Sequence, residues 1–218
     1  SNALPEQTKE VFHDYRLVLA GEKHGTVTVV TPEGNVEITT FRTEGDYRDS
    51  RHPDWVKFVP DIEGDLSRRD FTVNAMAYSP TRGFADPFGG RIDLQNHILR
   101  AVGDPEARFS EDALRILRGI RFSAKYGLTP EGATLNAMIS QASLLEKIAR
   151  ERVFDELGKY LLAAKTEDLC RVAPILGAAI PELKPMIGFD QHSPHHAYDL
   201  FTHTAHVVEG VPAEPVPR

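Results

Sequence analysis

The sequence is short of everything that would tie it to an oxidising compartment, a membrane or a fibrous architecture. Its 218 residues hold one cysteine, Cys170, so an internal disulfide is excluded and a reducing, cytoplasmic setting is expected. No window approaches the ~18 consecutive apolar residues of a membrane helix, and no charged-then-apolar leader opens the chain. Repeats and low-complexity tracts are missing as well. So is a basic excess: the net charge of −7 counts against a general nucleic-acid-binding surface. That deficit is uneven. Between Arg91 and Lys125, seven basic residues (Arg91, Arg100, Arg108, Arg115, Arg118, Arg121, Lys125) meet five acidic ones, which leaves room for a local phosphate-binding surface. What is present, 41% hydrophobic and 26% charged residues, is ordinary for a globular chain with one large or two small cores.

Segments rich in Val, Ile, Thr and Phe predict strands over Arg16 to Ala20, Thr26 to Thr31 and Val36 to Arg42. The turn cluster Thr31-Pro32-Glu33-Gly34-Asn35 joins the last two into an antiparallel hairpin. Residues 43 to 64 are polar and predict a charged loop. Phe71 to Tyr78 is compatible with helix or strand, and Asp86-Pro87-Phe88-Gly89-Gly90 is a break in which glycine supplies positive φ. From Ser110 onward the pattern is helical. Ser110 is predicted as an N-cap, with Glu111 and Asp112 in the first turn, where the helix dipole favours negative charge. Further helices are predicted over Thr129 to Gln141, Ile148 to Ala164 and Glu167 to Leu176, and the chain ends in a proline-rich run, Val211 to Pro217.

Two charged clusters stand out. At ~100° per residue, Glu111, Asp112, Arg115 and Arg118 share one helix face, while Ala113, Leu114, Ile116, Leu117 and Ile120 share the opposite, core-facing one. Such a face is ordinarily a solvated ladder of i,i+3 and i,i+4 ion pairs. The chemistry also allows something specific. Cytosine and adenine each present an exocyclic amine beside a ring-nitrogen acceptor, whereas guanine and uracil present a carbonyl beside N–H. A carboxylate with an arginine would therefore admit the first two bases and reject the others. The second cluster, Arg68-Arg69 between Asp65 and Asp70, is either a surface charge cluster or a bidentate clamp for a triphosphate.

In order, Asp65-Leu66-Ser67-Arg68-Arg69-Asp70-Phe71-Thr72-Val73-Asn74-Ala75 and Glu111-Asp112-Ala113-Leu114-Arg115 resemble paired motifs of the class II tRNA nucleotidyltransferases and their bacterial poly(A) polymerase relatives. The resemblance runs from about Leu4 to Arg152. It implies an α+β fold: a partial polymerase-beta-like palm sheet, then an all-helical neck and body. It divides the chain into a nucleotidyltransferase head over 1–98, a helical neck with a base-reading helix over 99–165, and the start of a body or HD-like domain over 166–218. It also implies a short helix within Phe71 to Tyr78.

The implied activity is template-independent addition of CMP, CMP and AMP to the 3′ end of tRNA from CTP and ATP, with Mg²⁺ and release of pyrophosphate. Asp112 and Arg115 would read the base, with Glu111 bracing the arginine and Arg118 on the same face. Asp65 would accept from a ribose hydroxyl, Arg69 would clamp phosphate and Asn74 would hold the sugar or the backbone nearby. Asp70 completes the motif, and either Arg68 or Arg69 can point inward. Glu37, on the strand face opposite Val36, Ile38 and Thr40, would be the third carboxylate of a two-metal site whose paired aspartates and Gly-Gly loop are expected upstream of Ser1. Mg²⁺ favours such oxygen ligands. One carboxylate does not hold the pair, so the 218 residues alone are expected to be inactive.

The resemblance further places a hinge at Asp86, Gly89 and Gly90 and a supporting role on Arg152 and Glu156, four apart on a helix. The stretch Phe189 to Thr204 resembles the opening of an HD phosphohydrolase domain, with His203 as the first ligand of an incomplete metal site; structural histidines are the alternative there. Poly(A) synthesis, A-adding or CC-adding activity remain open within the family. A nucleotide- or RNA-binding module without catalysis is the alternative outside it.

Overall fold

The computed structural model describes residues 1–44, 56–193 and 195–214. The middle of the loop predicted over 43–64, one position of the His192–His196 cluster and the last residues of the proline-rich end lie outside them. Contacts divide the chain into two compact units, Ser1–Arg69 with Ala75–Phe88, and Asp70–Asn74 with Gly89–Arg218.

The first unit opens with helix α1 (Pro5–Val11), started by Pro5 and by the Gln7 side chain, which accepts from the Leu4 N–H at 2.8 Å. Strands β1 (Arg16–Val18), β2 (Thr26–Thr31) and β3 (Gly34–Thr39) form an antiparallel sheet in the order β1-β2-β3. The predicted hairpin is present, with Val29 opposite Val36 and Val27 opposite Ile38. Val27 and Val29 are buried, and α1 packs on β2. The third strand ends earlier than predicted. Thr40 leaves the ladder, donating its N–H to the Gly25 carbonyl at 2.9 Å and its hydroxyl to the Ala3 carbonyl at 2.7 Å. Strand β4 (Arg42–Glu44) then pairs with β5 (Val56–Phe58), so the predicted loop carries strands at its ends. Helix α2 (Ile62–Ser67) follows, capped by Asp61, and hairpin β6 (Ala77–Ser79) with β7 (Gly83–Ala85) completes the unit.

The second unit begins inside the first motif. Phe71 bridges to Ala101, and the predicted short helix is only a 3-10 turn over Thr72–Asn74. Helix α3 (Gly90–Gln95) starts at Gly89, whose φ of +72° is left-handed and suits glycine. Strand β8 (Ile98–Leu99) leads to α4 (Pro105–Glu111) and α5 (Leu114–Tyr126). Strand β9 (Thr129–Pro130) pairs in parallel with β8, so the next helix, α6 (Gly132–Ser140), begins after Pro130 and not at Thr129. Helix α7 (Arg150–Leu161) sits inside the predicted Ile148–Ala164 span. The predicted Glu167–Leu176 helix is split into α8 (Thr166–Arg171) and α9 (Ala173–Ala179) because Pro174 has no N–H to continue the ladder. Helix α10 (Leu200–Gly210) is capped by Asp199, whose carboxylate accepts from the Thr202 N–H at 3.0 Å.

The core of this unit gathers on α5. The five apolar positions predicted to face inward, Ala113, Leu114, Ile116, Leu117 and Ile120, are all buried, together with Phe71, Phe109, Met138 and Tyr160. Gly119 permits the closest approach. A Cβ there would lie 2.7 Å from the Met138 sulfur and 2.9 Å from Phe71 Cζ, so one of these side chains would have to shift to make room.

Candidate nucleotide-binding site

In the first unit, Asp61 begins α2 by accepting from the Gly64 N–H at 3.2 Å, which fixes Asp65 one turn further on. Asp65 is buried. Its Oδ1 accepts from the Arg42 N–H at 3.2 Å and from Arg68 Nε and Nη2 at 3.1 and 2.8 Å; its Oδ2 accepts from Arg69 Nη2 at 3.3 Å. Burial alone would raise the carboxyl's pKa. The hydrogen bond and charge of Arg68, the Arg42 N–H and the charge of Arg69 outweigh it and hold Asp65 below the usual carboxylate range. Both arginines thus turn to one acid. They differ in exposure, with side chains 21% exposed for Arg68 and 45% for Arg69.

Glu37 is exposed on β3, paired across the hairpin with Thr28 and on the face opposite Ile38 and Val36. Among the described residues, no group of three or more His, Cys, Asp or Glu could hold a metal ion. Glu37 has the oxygen chemistry that Mg²⁺ takes, but by itself does not make a magnesium site.

In the second unit the base-reading segment differs from the predicted single helix. Ser110 lies inside α4, which begins at Asp104 and Pro105; Asp104 accepts from the Glu106 N–H at 3.1 Å. An Asp followed by Pro is the stronger start signal, and Ser110 instead donates to Gln141 Oε1 at 2.9 Å. The chain then breaks at Asp112, whose backbone is extended (φ −143°, ψ 101°), and restarts as α5 with the Asp112 carboxylate accepting from the Leu114 N–H at 3.0 Å. Glu111, Asp112 and Arg115 therefore meet across a helix break, not along one helix face.

That break is held by ion pairs. Arg115, nearly buried, donates from Nη1 to Glu111 Oε2 at 2.6 Å and to the Arg108 carbonyl at 3.1 Å. Arg108 donates to the same Glu111 oxygen at 2.9 Å and to the Val102 carbonyl at 3.2 Å. Asp112 Oδ2 lies 3.6 Å from Arg152 Nη2, an ion pair longer than a hydrogen bond. Arg152 and Glu156 are both engaged here, because Glu156 accepts from Arg121 Nε at 2.6 Å. Arg118 points elsewhere than the prediction had it. Its Nε and Nη2 both reach Asp70 Oδ2 at 2.7 Å, while Asp70 Oδ1 accepts from the Phe71 N–H at 2.9 Å and from Asn74 at 3.1 Å. Asp70, Asn74 and Arg118 thus satisfy one another.

The proposed hinge residue Gly89 is the first residue of the second unit's long stretch, directly after Phe88 of the first. His203, on α10, makes an edge-on ring contact with His196. Sequence reasoning passed over Arg108 and a network around the buried Asp93, where Thr72 donates to Asp93 at 2.7 Å and the partly exposed Arg100 reaches Asp93 and Glu131. Asp104-Pro105, read as a helix start, would have moved Arg108 onto the helix beside Glu111.

A small antiparallel sheet followed by helices, with an acid-gathered arginine cluster in each unit, is the mixed architecture of a nucleotidyltransferase head and the helices after it. Residues 1–100 match the family model "Poly A polymerase head domain", and residues 127–173 match "Probable RNA and SrmB-binding site of polymerase A". A CCA-adding enzyme of Streptococcus thermophilus is 52% identical over 163 residues, which is 75% of this chain and 40% of that protein. The Bacillus stearothermophilus CCA-adding enzyme, solved in complex with CTP, superposes with a TM-score of 0.75 at 38% identity, over 86% of this chain and 45% of that one. The Thermotoga maritima CCA-adding enzyme complexed with tRNA gives a TM-score of 0.64 at 28% identity, covering 84% and 42%. The chain belongs to the family of tRNA nucleotidyltransferases and bacterial poly(A) polymerases. It spans about 40% of the length of the curated relatives it matches.

Proposed function

We propose that this chain serves in a template-independent enzyme that adds CMP, CMP and AMP to the 3′ end of tRNA from CTP and ATP. The observation that carries this is the helix break at Asp112. There, one carboxylate and one guanidinium are fixed by neighbours before any nucleotide arrives. Asp112 Oδ1 is spent on the Leu114 N–H, while Oδ2 keeps acceptor capacity for the exocyclic amine of cytosine or adenine. Arg115, braced by Glu111, donates to the ring nitrogen. Preorganised donors and acceptors discriminate well because a wrong base leaves them unpaired.

Asp65, Arg68 and Arg69 hold the ribose and triphosphate in this reading, with the more exposed Arg69 on phosphate. Arg118, Asp70 and Asn74 act one step back, fixing the 70–74 segment against α5. Asp86, Gly89 and Gly90 form the hinge, Arg152 and Glu156 support the break, and Glu37 contributes to a magnesium site only with further ligands. The His203 stretch is structural in this chain. Cys170, half-buried and without a disulfide, fits a cytoplasmic protein.

The test uses the whole protein that carries this chain, tRNA lacking its CCA end, and all four nucleotides. Products ending in CCA are expected, and a homopolymeric A tail would overturn the specificity. In the same assay Asp112→Ala is expected to slow CMP and AMP transfer together. A lost hydrogen bond to a charged group is worth ~1.5–3 kcal/mol, or about 10- to 150-fold in kcat/KM. Unchanged kcat/KM for both nucleotides would remove Asp112 from the base-reading role.

A further inference from the structure

Arg108 lies outside both charged motifs, yet it holds Arg115 from two sides. Its carbonyl accepts from Arg115 Nη1 at 3.1 Å. Its own Nη1 donates at 2.9 Å to Glu111 Oε2, the oxygen that Arg115 Nη1 also reaches, at 2.6 Å. One residue therefore sets both of these acceptors. The Glu111 side chain is 32% exposed, against 14% for Arg108. A carboxylate that exposed has room to turn, and a second guanidinium on the same oxygen takes that freedom away.

Arg108 is itself anchored. It sits on α4 beside Phe109, which is fully buried, and its N–H donates to the Asp104 carbonyl at 3.0 Å. Its Nε donates to the Val102 carbonyl at 3.2 Å, and the Val102 N–H donates to the Asp70 carbonyl at 3.1 Å. Hydrogen bonds thus run without a gap from Asp70 through Val102 and Arg108 to Glu111 and Arg115. Asp70 is also the residue that follows the Arg68–Arg69 pair in the chain. A planar guanidinium can serve the Val102 carbonyl and Glu111 together with fixed directions; a lysine ammonium has no such fork.

We propose that Arg108 is a positioning residue for nucleotide selection, which aims Arg115 at the base by holding Glu111 and does not touch the nucleotide. The inference rests on the reading of Arg115 as the base-contacting arginine and names the group on which its direction depends. A guanidinium free to swivel still attracts any nucleotide. It loses the fixed direction that favours a ring-nitrogen acceptor over an N–H at the same place. Removing the Arg108 side chain therefore erodes discrimination and not merely rate.

The test measures kcat/KM for CTP, ATP, GTP and UTP in the whole protein, on tRNA lacking its CCA end. The variants are Arg108→Ala, Arg115→Ala, the double variant and Arg108→Lys, each with a melting curve. Arg108→Ala is expected to narrow the preference for CTP and ATP over GTP and UTP by about 2- to 12-fold, the equivalent of one net hydrogen bond. In an Arg115→Ala background it should narrow that preference no further, because it acts through Arg115. Arg108→Lys, which keeps the charge without the fork, should recover only part of the preference. A uniform loss for all four nucleotides, or a narrowing that adds to that of Arg115→Ala, would overturn the proposal. If Arg108→Ala does not fold, a wild-type preference in Arg108→Lys overturns it instead. Arg115→Ala with the wild-type preference would sink the base-reading role and this inference together. A narrowed preference in Arg115→Ala but not in Arg108→Ala would sink this inference alone.

Discussion

The two units solve the same problem in opposite ways. Each gathers two arginines on one carboxylate: Asp65 takes Arg68 and Arg69, and Glu111 takes Arg108 and Arg115. In the first unit the acid is the buried member and Arg69 keeps 45% of its side chain exposed. In the second, Arg115 is the buried member at 10%, and the acid is the more exposed partner. An exposed, adjustable guanidinium suits a phosphate, which every nucleotide presents alike. A buried guanidinium held by two fixed acceptors suits the edge of a base, where direction carries the information. On the proposed function, the same ion-pair chemistry serves different tasks according to which partner is buried.

The comparison is broken most severely by removing a carboxylate in the second unit. Glu156 and Arg121 are both nearly buried, and Glu156→Ala strands a guanidinium that lies over the Phe122 ring. Breaking such a pair costs ~3–5 kcal/mol, read as a shift in the urea midpoint. A variant with the wild-type midpoint would show that α5 is not held by this pair. Gly119→Ala attacks the same helix through packing. The added methyl meets Met138 and Phe71, and a loss of ~1–3 kcal/mol is expected by the same measurement.

The first unit is sharpened by pH. Asp65 sits below its ordinary value of 3.8 in the folded state, so its ionised form stabilises the fold. That contribution is complete above pH 3.8 and fades as pH falls through the lower folded value. Asp65→Asn is expected to be less stable than the wild type at neutral pH, with the gap closing in acid. A gap that widens in acid would contradict the assignment.

The sequence made the apolar face of α5 legible because 3.6-residue periodicity survives wherever a helix packs on a core. It also exposed the β2–β3 hairpin, whose turn cluster permits few alternatives. The break at Asp112 was hidden. Glu111 and Asp112 are good first-turn residues for a helix beginning at Ser110, and nothing local shows that a helix already running from Asp104 ends there. The fate of Arg118 was hidden for a different reason. Its partner Asp70 is 48 residues away, and helical spacing says only which face a residue is on, not what waits opposite. Short strands such as β8 and β9 escaped because two residues carry no period.

The central claim is that Arg115 reads the base while Arg69 holds the phosphate. In the whole enzyme, kcat/KM for CTP, ATP, GTP and UTP is measured for Arg115→Ala and Arg69→Ala, with melting curves to confirm folding. Phosphate contacts position and base contacts specify. Arg69→Ala is therefore expected to weaken all four nucleotides alike, and Arg115→Ala to slow CTP and ATP while relaxing the bias against GTP and UTP. A uniform loss for Arg115→Ala with a selective one for Arg69→Ala would contradict the account.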